Sequence, residues 1–235
     1  MSFRFQILSI LVCLASCRQG TQSSTIKSND DSLFVLAKQI DSIIHTDQVG
    51  EKEYTILYGL ADRVKPYCDN FRGSDKSKLP EIYNFCAEMH RRRCYVNNGQ
   101  PFTIKECQYA DTLIECCLKA IPISKSLHDT LSLTYTNSLG FLAGAYEQLG
   151  KIEEALKLRL EILSKYQKMY PEMSDMPMFA NYDVGKVYEL KGDFRNANEY
   201  FKKVLRFQKV FYSKFLTNTV DSIKQFQLRH KDLVK

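Results

Sequence analysis

Tyr146, Gly150, Ala155 and Leu163 return 42 positions later as Tyr188, Gly192, Ala197 and Leu205, and no other feature limits the fold of this chain so tightly. Both sets follow the same logic. One helix ends at a glycine, where a left-handed backbone angle costs little. The next helix lays an alanine against the first, because only a small side chain lets two helix backbones come close. A short helix pair of this kind cannot bury its apolar face alone, so successive pairs stack on one another.

The remainder also reads as helix. From Ser32 onward the apolar residues recur at helical spacing and nowhere alternate with a period of two, which argues against a sheet protein. Leu33, Leu36, Ile40, Ile43 and Ile44 form one stripe. Tyr54, Leu57, Ala61 and Val64 form another, which Pro66 is expected to stop or kink. Gly73 to Lys78 is a polar linker, and Pro80 suits the first turn of a helix reaching about Tyr95. Asn97 to Pro101 breaks that helix. Thr103 and Glu106 have capping-box spacing for the next one, which is expected to end at Pro122. Ser126 and Asp129 are spaced to cap a further helix start. Ile223, Phe226 and Leu233 share one stripe of a closing helix within Thr219 to Lys235.

In the segment from His128 to about Tyr212, these residues resemble two tetratricopeptide (TPR) repeats of the longer kind found in kinesin light chains. Leu142-Ala143, Tyr146, Leu149-Gly150 and Ala155-Leu156 carry the first unit. Val184-Gly185, Tyr188, Gly192, Phe194, Ala197 and Phe201 carry the second. The first unit departs from the pattern by placing Arg159 where a large aromatic is usual. Ala110, Ile114, Cys117, Leu118 and Pro122 match the second helix of a degenerate third unit. The implied fold is all-α: a TPR-like solenoid of antiparallel helix pairs with a closing helix. The expected divisions are irregular helical pairs over 32–122, two repeats over 123–212 and the closing helix over 213–235.

By the same resemblance, the first helix of each pair lines a groove that takes a peptide or protein segment. Asn137, Gly144, Glu147 and Gln148 would face it from one unit, and Phe179, Tyr182, Lys186 and Glu189 from the next. This set lacks the clustered lysine and asparagine by which some relatives clamp a C-terminal carboxylate.

The N-terminus implies a location. Arg4 opens the chain, Phe5 to Ala15 is mostly apolar, and Leu14-Ala15-Ser16-Cys17 follows. So short a run cannot cross a hydrocarbon core, which needs about 20 residues. The pattern is similar to the lipobox of bacterial lipoproteins, which implies a signal over 1–16, lipid on Cys17 and a polar tether over 17–31. Arg18 stands where an aspartate would, in some bacteria, retain the protein at the inner membrane, so the outer membrane is favoured. Loss of Arg4 with the signal takes the formal charge from +6 to +5. So mild an excess gives no reason to expect nucleic acid as a partner. Arg91-Arg92-Arg93, the one dense basic cluster, points three ways on a helix and reads as solvated surface.

After Cys13 leaves with the signal and Cys17 takes lipid, six cysteines remain, all from Cys68 to Cys117. In an antiparallel helix pair, Cys94 falls opposite Cys107 and Cys86 opposite Cys117 in one register. That arrangement resembles twin-cysteine hairpins stapled by two nested disulfides, and these two bonds are the expectation it carries. The alternative is that the cysteines are small packing residues. Cys86, His90 and Cys94 recur every fourth residue, but they lack paired C-x-x-C spacing and adjoin three arginines, so no metal is assigned.

No phosphate-loop, dinucleotide, metalloprotease or nucleophile-elbow motif occurs, and the four histidines lie far apart, so neither a reaction nor a cofactor is implied. The expected role is a lipid-anchored adaptor at the bacterial envelope. Two other classes stay open: a sensory module that acts with a separate partner, and a redox or metal-handling protein built on the cysteine hairpin.

Overall fold

The structure, a computed structural model, describes residues 51–96, 108–207 and 214–233. The expected signal segment with Cys17, the expected tether, the Leu33–Ile44 stripe, the expected Thr103/Glu106 cap and Cys107 lie outside these residues. Eight helices and no strand are found among the described residues: α1 Glu51–Asp69, α2 Leu79–Val96, α3 Ala110–Ser126, α4 Leu133–Gln148, α5 Ile152–Met169, α6 Asp175–Lys191, α7 Phe194–Phe207 and α8 Lys214–Arg229. The chain forms two compact units, Met1–Phe141 and Leu142–Lys235.

In the first unit α2 packs against both α1 and α3. The α1 stripe buries Leu57, Leu60, Ala61 and Val64, and α2 answers with Ile82, Phe85, Cys86 and Met89. Asn84 reaches α4, where its amide donates to the Thr134 carbonyl (2.7 Å) and its carbonyl oxygen accepts from the Ser138 hydroxyl (2.7 Å). Pro80 lies in the first turn of α2, as its missing N–H requires.

Three local expectations are corrected here. Pro66 does not end α1, which continues to Asp69, and Pro122 does not end α3, which continues to Ser126. Both prolines are exposed, so the carbonyl that each deprives of a donor lies on a side that water can reach. The cap of α4 is Ser132 rather than Ser126. Its hydroxyl oxygen accepts from the Tyr135 N–H (3.1 Å) and donates to Asp129 (2.9 Å), after a turn in which His128 takes φ 54°.

In the second unit the repeat is realised atom for atom at its turns. Gly150 has φ 75° and Gly192 φ 79°. The Lys151 N–H donates to the Tyr146 carbonyl and the Asp193 N–H to the Tyr188 carbonyl, both at 2.9 Å. This bond spanning five residues, closed through a left-handed glycine, satisfies a helix-end carbonyl that would otherwise need water. Ala155 and Ala197 are fully buried, as close helix approach demands.

Met178, Ala197, Phe201, Val204, Phe207, Val220, Ile223 and Phe226 form the core of α6, α7 and α8. The Phe201 and Phe226 rings meet edge to face at 4.9 Å between centroids. A buried ring of this size contributes about 1.5–3 kcal/mol by desolvation. Gly185 makes room for it: a Cβ there would stand 2.5 Å from Phe201 Cε1. The closing helix buries Ile223 and Phe226 as expected, whereas Leu233 lies beyond the end of α8 and is 59% exposed.

Candidate functional site

Arg159 organises the second unit. It stands on α5, 42 residues before Phe201, at the position where the repeat pattern wants an aromatic ring. Its Nε donates to Glu147 Oε1 on α4 (2.7 Å) and its Nη1 to Asp183 Oδ2 on α6 (2.8 Å). One guanidinium thus ties three successive helices. A Cβ built on Gly144 would lie 4.0 Å from Nη2, an ordinary contact distance, so the arginine does not depend on a glycine there. Only 16% of the Arg159 side chain is exposed. Burial opposes its charge, but Asp183 and Glu147 outweigh burial and raise its pKa. Asp183 is pushed up by burial despite Arg159, with Glu147 adding repulsion.

One turn further along α6, Lys186 Nζ donates to Glu189 Oε2 (2.6 Å). Arg229 of α8 meets the other oxygen, Oε1, at 3.2 Å. These three charged groups edge a cavity of about 220 Å³ floored by Tyr182, Phe201, Ile223 and Phe226, with Ser222 and Gln225 on its α8 side. Tyr182 leans on Phe201 at 5.8 Å, which fixes its ring against the core.

Of the groove residues expected from the sequence, Tyr182, Lys186 and Glu189 come together at this cavity. Glu147 engages Arg159 instead. Phe179 is half-buried against the core cluster, and Gln148 is half-buried near the end of α4. Asn137 is exposed on the part of α4 that belongs to the first unit. Asp183 and Arg229 were not among the expected residues, and Arg159 stood out only as a departure from the repeat pattern. Asp183 carries a readable signal, since it shares a helix face with Lys186 three residues on. Arg229 carries none, because its role depends on where α8 docks.

The expected Cys86–Cys117 pairing is corrected. Cys86 and Cys117 are free thiols, as are Cys68 and Cys116, and all four are buried. The Cys86 thiol lies 3.7 Å from the Ala61 carbonyl, across the α1–α2 interface. The Cys116 thiol, and then burial, raise the Cys86 pKa strongly, so the neighbour of Cys86 on α3 is Cys116. Burial raises Cys68 to about 12, and also raises Cys117. Cys94 is disulfide-bonded, while Cys107, its expected partner, lies outside the described residues. A cysteine held in a disulfide is not a metal ligand, and no cluster of three or more metal-binding side chains is found among the described residues.

The arginine run is less solvated than its sequence implies. Arg91 and Arg92 both bond Glu88, and Arg92 lies over Tyr54. Arg93 is only 11% exposed, with its guanidinium in two bonds to Asp62 (2.8 and 2.6 Å) and over the Tyr58 and Tyr109 rings.

No family model matches the chain, and no curated protein does. Solved structures do. BtubC (BKLC) from P. vanneervenii superposes with a TM-score of 0.59 at 17% identity, over 98% of this chain and 86% of that one. A putative kinesin light chain from Podosopora anserina, with nearly identical TPR-like repeats, gives 0.56 at 15% identity, over 88% of this chain and 92% of that one. At such identities the likeness is one of fold: the chain is an all-α, TPR-like helical-repeat protein.

Proposed function

We propose that this protein is an interaction adaptor of the bacterial envelope, anchored by lipid on Cys17 and docking a partner segment along α6 and α8. The observation that carries this reading is the cavity edged by Lys186, Glu189 and Arg229 over an aromatic floor. Its walls are rigid helices already fixed by ion pairs, so a peptide binding there orders little protein, and more of the contact energy appears as affinity. The lipobox residues Leu14 to Cys17 support the anchor, and Arg18 favours the outer membrane.

In-cell crosslinking and affinity capture from membranes, with a Tyr182→Ala/Lys186→Ala variant alongside, test the docking. A partner captured by the native chain and lost in the variant is expected; capture indifferent to those changes rejects the groove. Cys17→Ser tests the anchor separately: the chain should leave the membrane fraction and lose incorporated fatty acid.

A further inference from the structure

We propose that a cavity in the first unit, between α1, α2 and the start of α3, binds a neutral, hydroxyl-rich small molecule of the monosaccharide class. This site is independent of the docking reading for the second unit.

His90 is the starting observation. It is 2% exposed, and neither ring nitrogen has a hydrogen-bond partner. Leaving a buried polar group unpaired costs about 1–3 kcal/mol, and folded proteins pair nearly all of them. His90 lines a cavity of about 370 Å³ together with Asp62, Lys65, Pro66, Gln108, Tyr109 and Thr112. One water occupies roughly 30 Å³, so the space is of ligand size.

The charges around the cavity are already spent on one another. Arg93 grips both oxygens of Asp62. Lys65 pairs with Asp69 (2.8 Å) and Glu115 (2.9 Å). An ionic ligand would have to break these pairs. The groups that remain are the imidazole, the Gln108 amide and the Tyr109 and Thr112 hydroxyls, each able both to donate and to accept. A hydroxyl is the ligand group with the same double capacity. His90 Nε2 and Asp62 Oδ1 are 4.0 Å apart, beyond direct hydrogen bonding, and one ligand hydroxyl can serve both. Pro66 adds an apolar surface suited to the C–H side of a sugar ring. Burial, aided by Arg93, keeps His90 uncharged with a pKa of about 4, which leaves one nitrogen as donor and the other as acceptor.

The test is a titration of the full chain, ¹⁵N-labelled at histidine, with glucose and N-acetylglucosamine as neutral probes and glucosamine and glucuronate as charged ones. The expected result is a saturable shift of the His90 ring signals with a neutral sugar, and binding about tenfold weaker for its charged counterparts. His90→Phe, which keeps a ring of similar shape, should abolish binding. Thr112→Val, on a half-exposed position of α3, should weaken it without disturbing the fold. No His90 response below about 100 mM of any neutral sugar overturns the proposal, since it means a hydrated cavity only. So does binding that survives both substitutions, or binding strongest for a charged probe.

Discussion

Arg159 Nη1 lies 2.8 Å from Asp183 Oδ2, so a salt bridge fills in one repeat the place that the Phe201 ring fills in the next. The two repeats share turns and alanines but hold their helices together by different physics. Removing the cation should therefore do more harm than removing a surface charge. Arg159→Ala leaves Glu147 and Asp183 facing each other without compensation, and we expect a loss of about 2 kcal/mol. Urea denaturation at unchanged slope measures it. Adding Glu147→Gln and Asp183→Asn should recover much of that loss, and a single-variant loss under about 0.5 kcal/mol refutes the role.

Two helix-interior glycines should respond in opposite directions. Gly185→Ala drives a methyl into Phe201, whose ring is held by Tyr182 and Phe226, and should cost about 1–3 kcal/mol. Gly144→Ala meets nothing nearer than Arg159 Nη2 at 4.0 Å, so the better helix propensity of alanine should stabilise by up to about 1 kcal/mol. Melting curves of the two variants that move the same way contradict this packing.

Acid should weaken the first unit through His90. Its surroundings are Asp62 and Lys65 of α1, Arg93 on its own helix and Tyr109 ahead of α3. Burial first, then Arg93 and Lys65, depress its pKa from 6.5 to about 4, and Asp62 opposes them. The unfolded chain then binds the proton more readily. The stability is fully present above pH 6.5 and declines as the pH falls toward 4, by roughly 2 kcal/mol at pH 5 from this residue alone. His90→Phe should flatten that part of the stability profile; an unchanged acid limb shows that His90 does not contribute.

The buried thiols should be silent until the chain unfolds. Native full-length protein treated with iodoacetamide should leave Cys68, Cys86, Cys116 and Cys117 unmodified, because all four are buried away from the reagent, and at Cys68, Cys86 and Cys117 the reactive thiolate is also suppressed. All four should label after denaturation without reductant. A mass deficit from a Cys86–Cys117 bond would reinstate the nested pair.

The parts of this fold that could be read from sequence are those set by local stereochemistry. Gly150 and Gly192 announced left-handed turns, and Ala155 and Ala197 announced close helix contact, because no other residue types do these tasks as cheaply. Axial register was harder. Periodicity assigns a face, but one residue is 100° and 1.5 Å, and that single step separates Cys116 from Cys117 as the neighbour of Cys86. Pro66 and Pro122 misled for a different reason: a proline within a helix loses one hydrogen bond and crowds the carbonyl four residues back, a local cost that the packing of α1 and α3 outweighs. Tyr182, Lys186 and Glu189 could be grouped by their repeat positions, and they do line one cavity. Arg229 could not be grouped with them, since nothing in its local sequence says that α8 returns to α6.

Glu189 receives Lys186 on one oxygen and Arg229 on the other, and so acts as a resident counter-ion at the mouth of its cavity. An arriving carboxylate must compete with a tethered one for the same two donors. Exchange of one acid for another returns little net energy, so bare negative charge is a poor passport here. Selection falls instead to whatever fits the ring-lined floor beneath, which favours a partner recognised by its shape.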